Sequence, residues 1–300
     1  MRFFDFLLFA GVCFIWAVNI VVSRVLFTDF GVPPIFYAAV RFALVALVLA
    51  PLLHPLPKPF LPLLLVGMLM GACHFGFMFL ALQSSPSSSV SVVLQLSIPE
   101  TALLSVVLLN ERIGLIRAGG IAIALCGVLM VMWNQGDQAI GLGLIFAFVS
   151  SLALSLGSIS LKRYGPIHPM RIQAWVALAS FPPLAAYSWL AEDNPAQASF
   201  SAGWPFWAGW VFSAFLVTIV AHTLYFSVLQ RYPASLIAPL GLMMPLMSVA
   251  MGVFLLGEHF NLLMVTGSVI AFGGLYLILR RQASNGPDQT DQIIVSDPGS

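Results

Sequence analysis

The side chains in this sequence that could bind a ligand or carry a proton stand inside long apolar runs. Arg41 and Glu100 are charged, and His74 and His222 are histidines in comparable surroundings. A charged group in an apolar environment is costly unless it has a partner, so such groups commonly contact a ligand or relay protons. The alternatives are structural: a buried ion pair between Arg41 and Glu100, an arginine reaching the outer interface, or histidines bonded within the packing.

Further polar and aromatic residues in the apolar runs lie at helical spacing. Trp16 and Asn19 share one face of a helix, as do His74, Phe77 and Met78. A mainly apolar wall with a few polar groups is the usual lining of a small-molecule site. The residues predicted to line such a cavity are Trp16, Asn19, His74, Phe77, Met78, Gln95, Ser155, Ser158, His222 and Tyr225. For the two serines, helix packing through small hydroxyl side chains is an equally open interpretation.

The sequence lacks the motifs of several enzyme classes. It contains no GxSxG or HExxH stretch and no paired aspartates in an apolar run. Cys13, Cys73 and Cys126 stand in apolar runs without the spacing of a metal or redox site, so no cofactor and no metal is expected. The formal net charge of +1 does not indicate nucleic-acid binding. We expect a protein that is not an enzyme, with an intramembrane enzyme as the remote alternative.

The composition identifies lipid as the solvent around most of the chain. Of the 300 residues, 60% are hydrophobic and 8% are charged, which is more apolar surface than a water-soluble domain can bury. The first apolar stretch is too long for a signal peptide and has no small-x-small cleavage site, so it is predicted to be a retained membrane helix. The predicted spans are ten, at residues 4–23, 33–53, 60–82, 87–109, 113–133, 139–162, 169–190, 204–230, 234–256 and 260–280.

Lysine and arginine are distributed unequally between alternate loops. If the N-terminus is cytoplasmic, the inner side contains ten of these residues and the outer side only Arg24, while Arg41 lies within the second span. This asymmetry predicts that both termini are cytoplasmic. Residues 282–300 are polar and rich in turn formers, which predicts a disordered cytoplasmic tail.

The chain contains an internal repeat. A shift of 147 residues aligns Glu111 with Glu258, and in the same register it aligns Phe79, Leu82, Gln83 and Pro86 with Phe226, Leu229, Gln230 and Pro233. The predicted units are 1–136 and 137–281, each with five spans, and an odd number of spans inverts the second unit relative to the first. Two inverted five-helix repeats around a central cavity are a common construction of secondary transporters.

Three prolines fall within predicted spans at related places in the two units. Pro99 lies in the fourth span, and Pro239 and Pro245 lie in the ninth. Each removes one backbone hydrogen bond and kinks its helix. We predict that these positions act as hinges during alternating access; static kinks that only shape the cavity are the alternative.

Three stretches resemble the EamA family of the drug/metabolite transporter superfamily: "WAVNIVVSR", "PPIFYAAVRF" and "MMPLMSVAMGVFLLGEHFNLLMVTGSVIAFGGLY". The resemblance runs from residue 4 to about 280 and is greatest to the YddG-type amino acid exporters. The first unit departs from the family pattern at "NERIG" and at the Pro99-Glu100 pair. The resemblance implies an all-α membrane fold with a central cavity and export of small metabolites. Arg41 matches an arginine of the family's second span, which favours a structural role for it.

The expected function is export of small neutral or zwitterionic metabolites by alternating access, foremost amino acids with aromatic or other apolar side chains. Few fixed charges at mid-depth disfavour phosphorylated substrates. A multidrug or purine/nucleoside exporter of the same fold is the alternative, and proton coupling, resting conformation and oligomeric state stay open. The expected partners are the small-molecule substrate and the lipid bilayer, without nucleic acid, in the bacterial cytoplasmic (inner) membrane.

Overall fold

The computed structural model describes residues 1–56, 58–110, 113–133, 138–164, 167–229, 231–232, 237, 240–259 and 261–284. Over these residues the regular secondary structure is entirely helical, in agreement with the predicted all-α fold. Three of the sequence predictions fall largely or wholly outside the described residues: the tail at 282–300, the hinge Pro239 and the repeated Glu111.

The first half of the chain contains the helices α1 to α5. The third helix includes a π-helical segment, Met68–Cys73, and the fourth is interrupted after Leu94. A short 3₁₀ helix, Ala50–Leu53, follows the second. The bounds are Phe3–Thr28 for α1, Pro34–Val48 for α2, Phe60–Ser84 for α3, Ser87–Leu109 for α4 and Leu115–Met132 for α5.

The second half contains α6 to α10. The eighth helix includes a second π-helical segment, Phe212–Ala221, and a short helix, Pro195–Ser201, precedes it. The bounds are Gln138–Tyr164 for α6, Pro169–Ala191 for α7, 204–229 for α8, Met243–Leu256 for α9 and Leu262–Ser284 for α10.

Seven stretches of the described residues are long and apolar enough to cross a membrane. They lie in α1, α3, α4, α5, α6, α8 and α10, while α2 and α9 are shorter apolar helices. Helix α7 occupies the seventh predicted span and contains two consecutive prolines, Pro182 and Pro183. The chain is therefore a multi-pass membrane protein; the number of spans and the side of the termini stay predictions.

Helices of the first half pack mainly against helices of the second. α5 packs along α10, α2 along α7, and α4 against α9. The other large contacts between the halves occur as matched pairs: α3 packs on α6 as α8 packs on α1, α4 packs on α6 as α9 packs on α1, and α3 packs on α7 as α8 packs on α2. Exchanging α1–α5 with α6–α10 leaves this set of contacts unchanged. Two structurally equivalent units would give this pattern.

The α5–α10 pair is held by contact between backbones. A Cβ added at Gly127 would lie 2.3 Å from the Ala271 nitrogen, and one added at Gly274 would lie 2.4 Å from the Ala124 nitrogen. Small residues at such positions let two membrane helices approach closely. The pair thus forms a tightly packed edge of the molecule, and the cavity lies among the other helices.

Candidate functional site

A cavity of about 260 Å³ lies between the two halves of the chain. Its walls come from α1, α2 and α3 of the first half and from α6, α7, α8 and α9 of the second. The lining is mainly apolar and aromatic. Its polar members are Asn19, Arg41, His74, Gln173, Thr218 and His222. An apolar pocket with a few convergent polar groups is the usual form of a small-molecule site.

The two π-helical segments position the two histidines at this cavity. Met68–Cys73 ends immediately before His74, and Phe212–Ala221 ends immediately before His222. A π-helical turn changes the direction of the following side chains and often occurs at functional sites. Because the segments stand in α3 and α8, they deliver one histidine from each half to the same cavity.

Both imidazoles are oriented through Nδ1. The His74 Nδ1 lies 2.8 Å from the Ser150 hydroxyl, which donates its proton to the His74 carbonyl oxygen at 2.7 Å. The His222 Nδ1 lies 2.9 Å from the Val217 carbonyl oxygen, within the π-helical segment. In each case a neutral imidazole carries its proton on Nδ1, because the neighbouring oxygen accepts it, and keeps Nε2 as an acceptor.

Arg41 extends from α2 to the cavity and is completely buried, with 0% of its surface exposed. Its Nε and Nη2 donate to the Thr218 hydroxyl at 3.1 and 2.8 Å, and the Thr218 hydroxyl donates to the Ser213 carbonyl oxygen at 2.9 Å. The guanidinium carbon lies 4.4 Å from the centre of the Phe75 ring. Such cation–π contact stabilises a desolvated arginine.

Trp16 and Asn19 of α1 also line the cavity. The Trp16 ring packs on the His222 ring with centroids 5.2 Å apart, and on Tyr225 at 5.4 Å. Asn19 is buried, with 4% of its surface exposed. Of the ten residues predicted from the sequence, the cavity thus brings together five: Trp16, Asn19, His74, Met78 and His222.

The other five predicted residues do not line this cavity. Phe77 packs on Phe146, and Tyr225 lies behind Trp16. Gln95 lies in the interruption of α4. The Ser158 hydroxyl donates to the Leu154 carbonyl oxygen one turn earlier.

Ser155, the last of these five, belongs to a second polar centre around Glu100. Its hydroxyl lies 3.0 Å from Glu100 Oε2, and the Ser151 hydroxyl lies 2.9 Å from Oε1. No ion pair joins Glu100 to Arg41 among the described residues. The structural alternative considered for Arg41, a pairing with this carboxylate, is therefore not what the structure contains.

Sequence reasoning missed several lining residues. Thr218 and Gln173 are polar residues within apolar runs, so their type was a usable signal. Phe42, Met70 and Phe75 gave no such signal, because apolar residues in a membrane helix face lipid as readily as a cavity. Arg41 was considered, but the family match favoured a purely structural role for it.

The interruption of α4 and the start of α9 lie at related positions in the two halves of the chain. Gln95 and Leu96 form a turn in α4 shortly before Pro99, and Gly241 and Leu242 form a turn before α9, which contains Pro245. Discontinuous helices of this type frequently adjoin the site of a secondary transporter. Movement at Pro99 or Pro245 stays a prediction.

Two carboxylates of the second half cap helices of the first. Glu258 accepts hydrogen bonds from the backbone nitrogens of Ser87 and Ser88 at 2.5 and 2.9 Å, at the N-terminus of α4. Glu192 accepts from Ile35 and Phe36, both at 2.8 Å, at the N-terminus of α2. A carboxylate at a helix N-terminus satisfies free amides and interacts well with the helix dipole. Glu258, one of the two glutamates aligned by the internal repeat, thus links the second half of the chain to the first.

Two segments of the chain, residues 4–133 and 141–280, match the model of the EamA-like transporter family. The chain belongs to this family. The resemblance seen in the sequence is therefore confirmed, and each match of the EamA model covers one half of the helical pattern described above.

Two bacterial relatives of this EamA protein extend over most of the chain. A probable amino-acid metabolite efflux pump of Salmonella typhimurium is 28% identical over 275 residues, which cover 88% of this chain and 90% of the relative. A protein of the same description from Escherichia coli is 27% identical with the same coverage. A solved crystal structure, 20% identical, superposes with a TM-score of 0.60 over 94% of this chain and 99% of that chain. At that identity it supports the fold alone.

Proposed function

We propose that this protein is a secondary transporter that exports amino acids, foremost those with aromatic or other apolar side chains. The observation that carries the proposal is the cavity of about 260 Å³, whose wall is shared by the two halves of the chain. A site between two equivalent units can be exposed to either side of the membrane as the units move. The two bacterial relatives described as probable amino-acid metabolite efflux pumps support the cargo.

The proposed architecture has ten spans in two inverted repeats, 1–136 and 137–281, with both termini in the cytoplasm of a bacterium. Support comes from the asymmetry of lysine and arginine in the loops and from the helix contacts that exchange between the halves. Labelling of single cysteines introduced at Asp29 and at His168, in a background without Cys13, Cys73 and Cys126, tests it. An impermeant maleimide added to intact cells should label Asp29→Cys and spare His168→Cys.

In the proposed transport cycle the cavity opens alternately to the two sides. The Glu192 and Glu258 contacts lie at the predicted outer ends of α2 and α4, so both must break when the cavity opens outward. The π-helical segments and the interruption of α4 supply the places where a helix can change direction with few hydrogen bonds lost. Proton coupling at Glu100, His74 or His222 is not required by this scheme.

The first experiment is uptake by proteoliposomes of radiolabelled amino acids, nucleosides and a cationic dye, with empty liposomes as the control. We expect saturable uptake of phenylalanine, leucine or related amino acids, and a large loss with Trp16→Ala or His74→Ala. Ser227→Ala is a matched control in α8, because Ser227 does not line the cavity. Movement of nucleosides or dye without movement of amino acids would contradict the proposed cargo and favour the alternative exporter.

A further inference from the structure

Three polar atoms on the cavity wall have no hydrogen-bond partner among the described residues. They are Arg41 Nη1, Trp16 Nε1 and Asn19 Oδ1, and each is buried. Buried polar groups in folded proteins are nearly always bonded, so an unpaired one at a cavity is suited to bind a polar group of a ligand. These two donors and one acceptor belong to side chains that line the same cavity.

Arg41 defines the charge that this ligand must carry. The side chain is completely buried, and no carboxylate of the described residues lies within salt-bridge distance of it. Its Nε and Nη2 share one hydroxyl acceptor, Thr218, which leaves the other edge of the guanidinium, with Nη1, without an acceptor. That edge presents two parallel N–H groups, the geometry that matches a carboxylate. A buried cation in this position calls for an anion.

Asn19 defines a second requirement. Its Oδ1 is an acceptor, and neither a backbone amide nor a side chain of the described residues donates to it. An ammonium group has donors and no acceptor, so it suits an isolated carbonyl oxygen. Asn19 and Arg41 line the same cavity from α1 and α2. A ligand with a carboxylate and an ammonium a short distance apart satisfies both.

We infer that the cavity recognises the zwitterionic head of an α-amino acid, with the carboxylate on Arg41 and the ammonium on Asn19. The apolar side chain of the ligand then lies against the apolar part of the lining, which includes Phe42, Met70 and Met78. Trp16 Nε1 is a further donor for the carboxylate. This inference rests on the proposed function and specifies its substrate class: the free carboxylate and the free ammonium are both required.

The size and charge of the cavity argue against larger cationic cargo. About 260 Å³ lies below the range of roughly 300–1,000 Å³ typical of pockets for drug-sized ligands. A lipophilic cation would also meet the positive charge of Arg41 in a medium of low dielectric constant, where repulsion is large. Both features fit a single amino acid.

The test uses three ligands with the same side chain: L-phenylalanine, L-phenylalaninamide without the carboxylate, and 3-phenylpropanoate without the ammonium. Each competes with radiolabelled phenylalanine for the purified wild-type protein in detergent, at a pH that keeps the amine of the amide protonated. Both analogues should bind at least about tenfold more weakly than phenylalanine, since each loses hydrogen bonds between charged groups.

Two variants then assign each half of the head group. Arg41→Gln should lose the preference for phenylalanine over phenylalaninamide, and Asn19→Leu should lose the preference over 3-phenylpropanoate. Arg163→Gln is a matched control, because Arg163 is exposed at the end of α6, away from the cavity, and it should keep both preferences. Size-exclusion chromatography verifies that each variant is folded. If a variant does not fold, the comparison of the three ligands on the wild-type protein still tests the inference.

The possible failures are distinguishable. Uptake of phenylalanine together with equal competition by all three ligands would overturn the inference and leave the proposed function standing. Tight binding of 3-phenylpropanoate would overturn the ammonium contact with Asn19. Neither binding nor uptake of any amino acid, with movement of nucleosides or dye, would overturn both the inference and the proposed cargo.

Discussion

Arg41 and Glu100 are both buried charged residues within apolar helices, yet their surroundings differ. Arg41 lines the central cavity, bonds one hydroxyl through two nitrogens and keeps Nη1 without a partner. Glu100 lies outside the cavity lining, and each of its oxygens contacts a serine hydroxyl of α6. Arg41 thus has a buried polar atom without a hydrogen-bond partner among the described residues, whereas both oxygens of Glu100 have one.

The comparison teaches that burial of a charge does not by itself mark a binding site. Glu100 connects α4 to α6 through Ser151 and Ser155, so its contacts resemble those of a structural crosslink. Arg41 stacks on Phe75 and donates to one hydroxyl, but its Nη1 has no partner among the described residues. Neither Arg41 nor Glu100 has an opposing charge within salt-bridge distance in the described part of the chain. The unpaired atom and the cavity beside it, and not the charge alone, separate the two cases.

The largest expected effect on stability concerns Glu100. Glu100→Ala should lower the free energy of unfolding by about 3 kcal/mol, because it leaves a void in place of a buried side chain and removes the carboxylate contacts with the Ser151 and Ser155 hydroxyls. Glu100→Gln keeps an acceptor of the same shape and should cost less than about 1 kcal/mol. Thermal or SDS-induced unfolding in mixed micelles measures both. Phenylalanine binding by Glu100→Gln should match the wild type; a loss of binding with unchanged stability would make Glu100 part of the site.

The next largest effect is expected from removing the hydroxyl to which Arg41 donates. Thr218→Val keeps the shape of the side chain but removes the acceptor of Nε and Nη2, so the buried cation loses its described hydrogen bonds. We expect a loss of about 2 kcal/mol in the free energy of unfolding of the empty protein. Saturating phenylalanine should recover part of that loss, because its carboxylate supplies the anion. An equal loss with and without ligand would contradict this placement of the carboxylate.

Thr218 also shows what the sequence could and could not predict about the site. Polar type in an apolar run is only a partial signal for this cavity. Asn19, His74 and His222 line it, whereas other predicted polar residues, Gln95, Ser155 and Ser158, do not. The π-helical segments change the register of α3 and α8 ahead of both histidines, and the sequence carried no sign of them. Phe77 follows His74 in regular α-helix, beyond the π-helical segment, yet it packs on Phe146 and does not line the cavity.

The fold was more accessible to sequence reasoning than the site. Apolar runs of membrane length and the repeat at 147 residues depend on composition and identity over many positions, so a few misjudged residues do not alter them. The structure was needed to show which helices of the two halves pack together. In lipid, an apolar helix surface can face either the bilayer or another helix, so the sequence does not reveal its partner. The Glu258 cap on α4 is an example: the motif was visible, but its partners at Ser87 and Ser88 were not.

A smaller change tests the shape of the Arg41 contact and not its charge. Arg41→Lys keeps the cation but replaces a planar group with two parallel donors by a single ammonium. We expect phenylalanine affinity to fall about tenfold, which is about 1.4 kcal/mol, with the preference over phenylalaninamide reduced and not abolished. Competition binding measures this. An unchanged affinity would show that only the positive charge matters.

The smallest expected effect is that of Trp16→Phe. The phenyl ring can still pack on His222 and Tyr225, which the indole contacts at 5.2 and 5.4 Å, but the unpaired Nε1 donor is removed. If that donor only supplements Arg41, affinity for phenylalanine should fall no more than about fivefold, the value of one hydrogen bond of about 1 kcal/mol. Affinity for phenylalaninamide should fall less, because its amide carbonyl oxygen is an uncharged and therefore weaker acceptor than a carboxylate. An equal loss for both ligands would instead assign Trp16 to packing against the substrate side chain, and the contrast between Arg41 and Glu100 would then depend on the guanidinium alone.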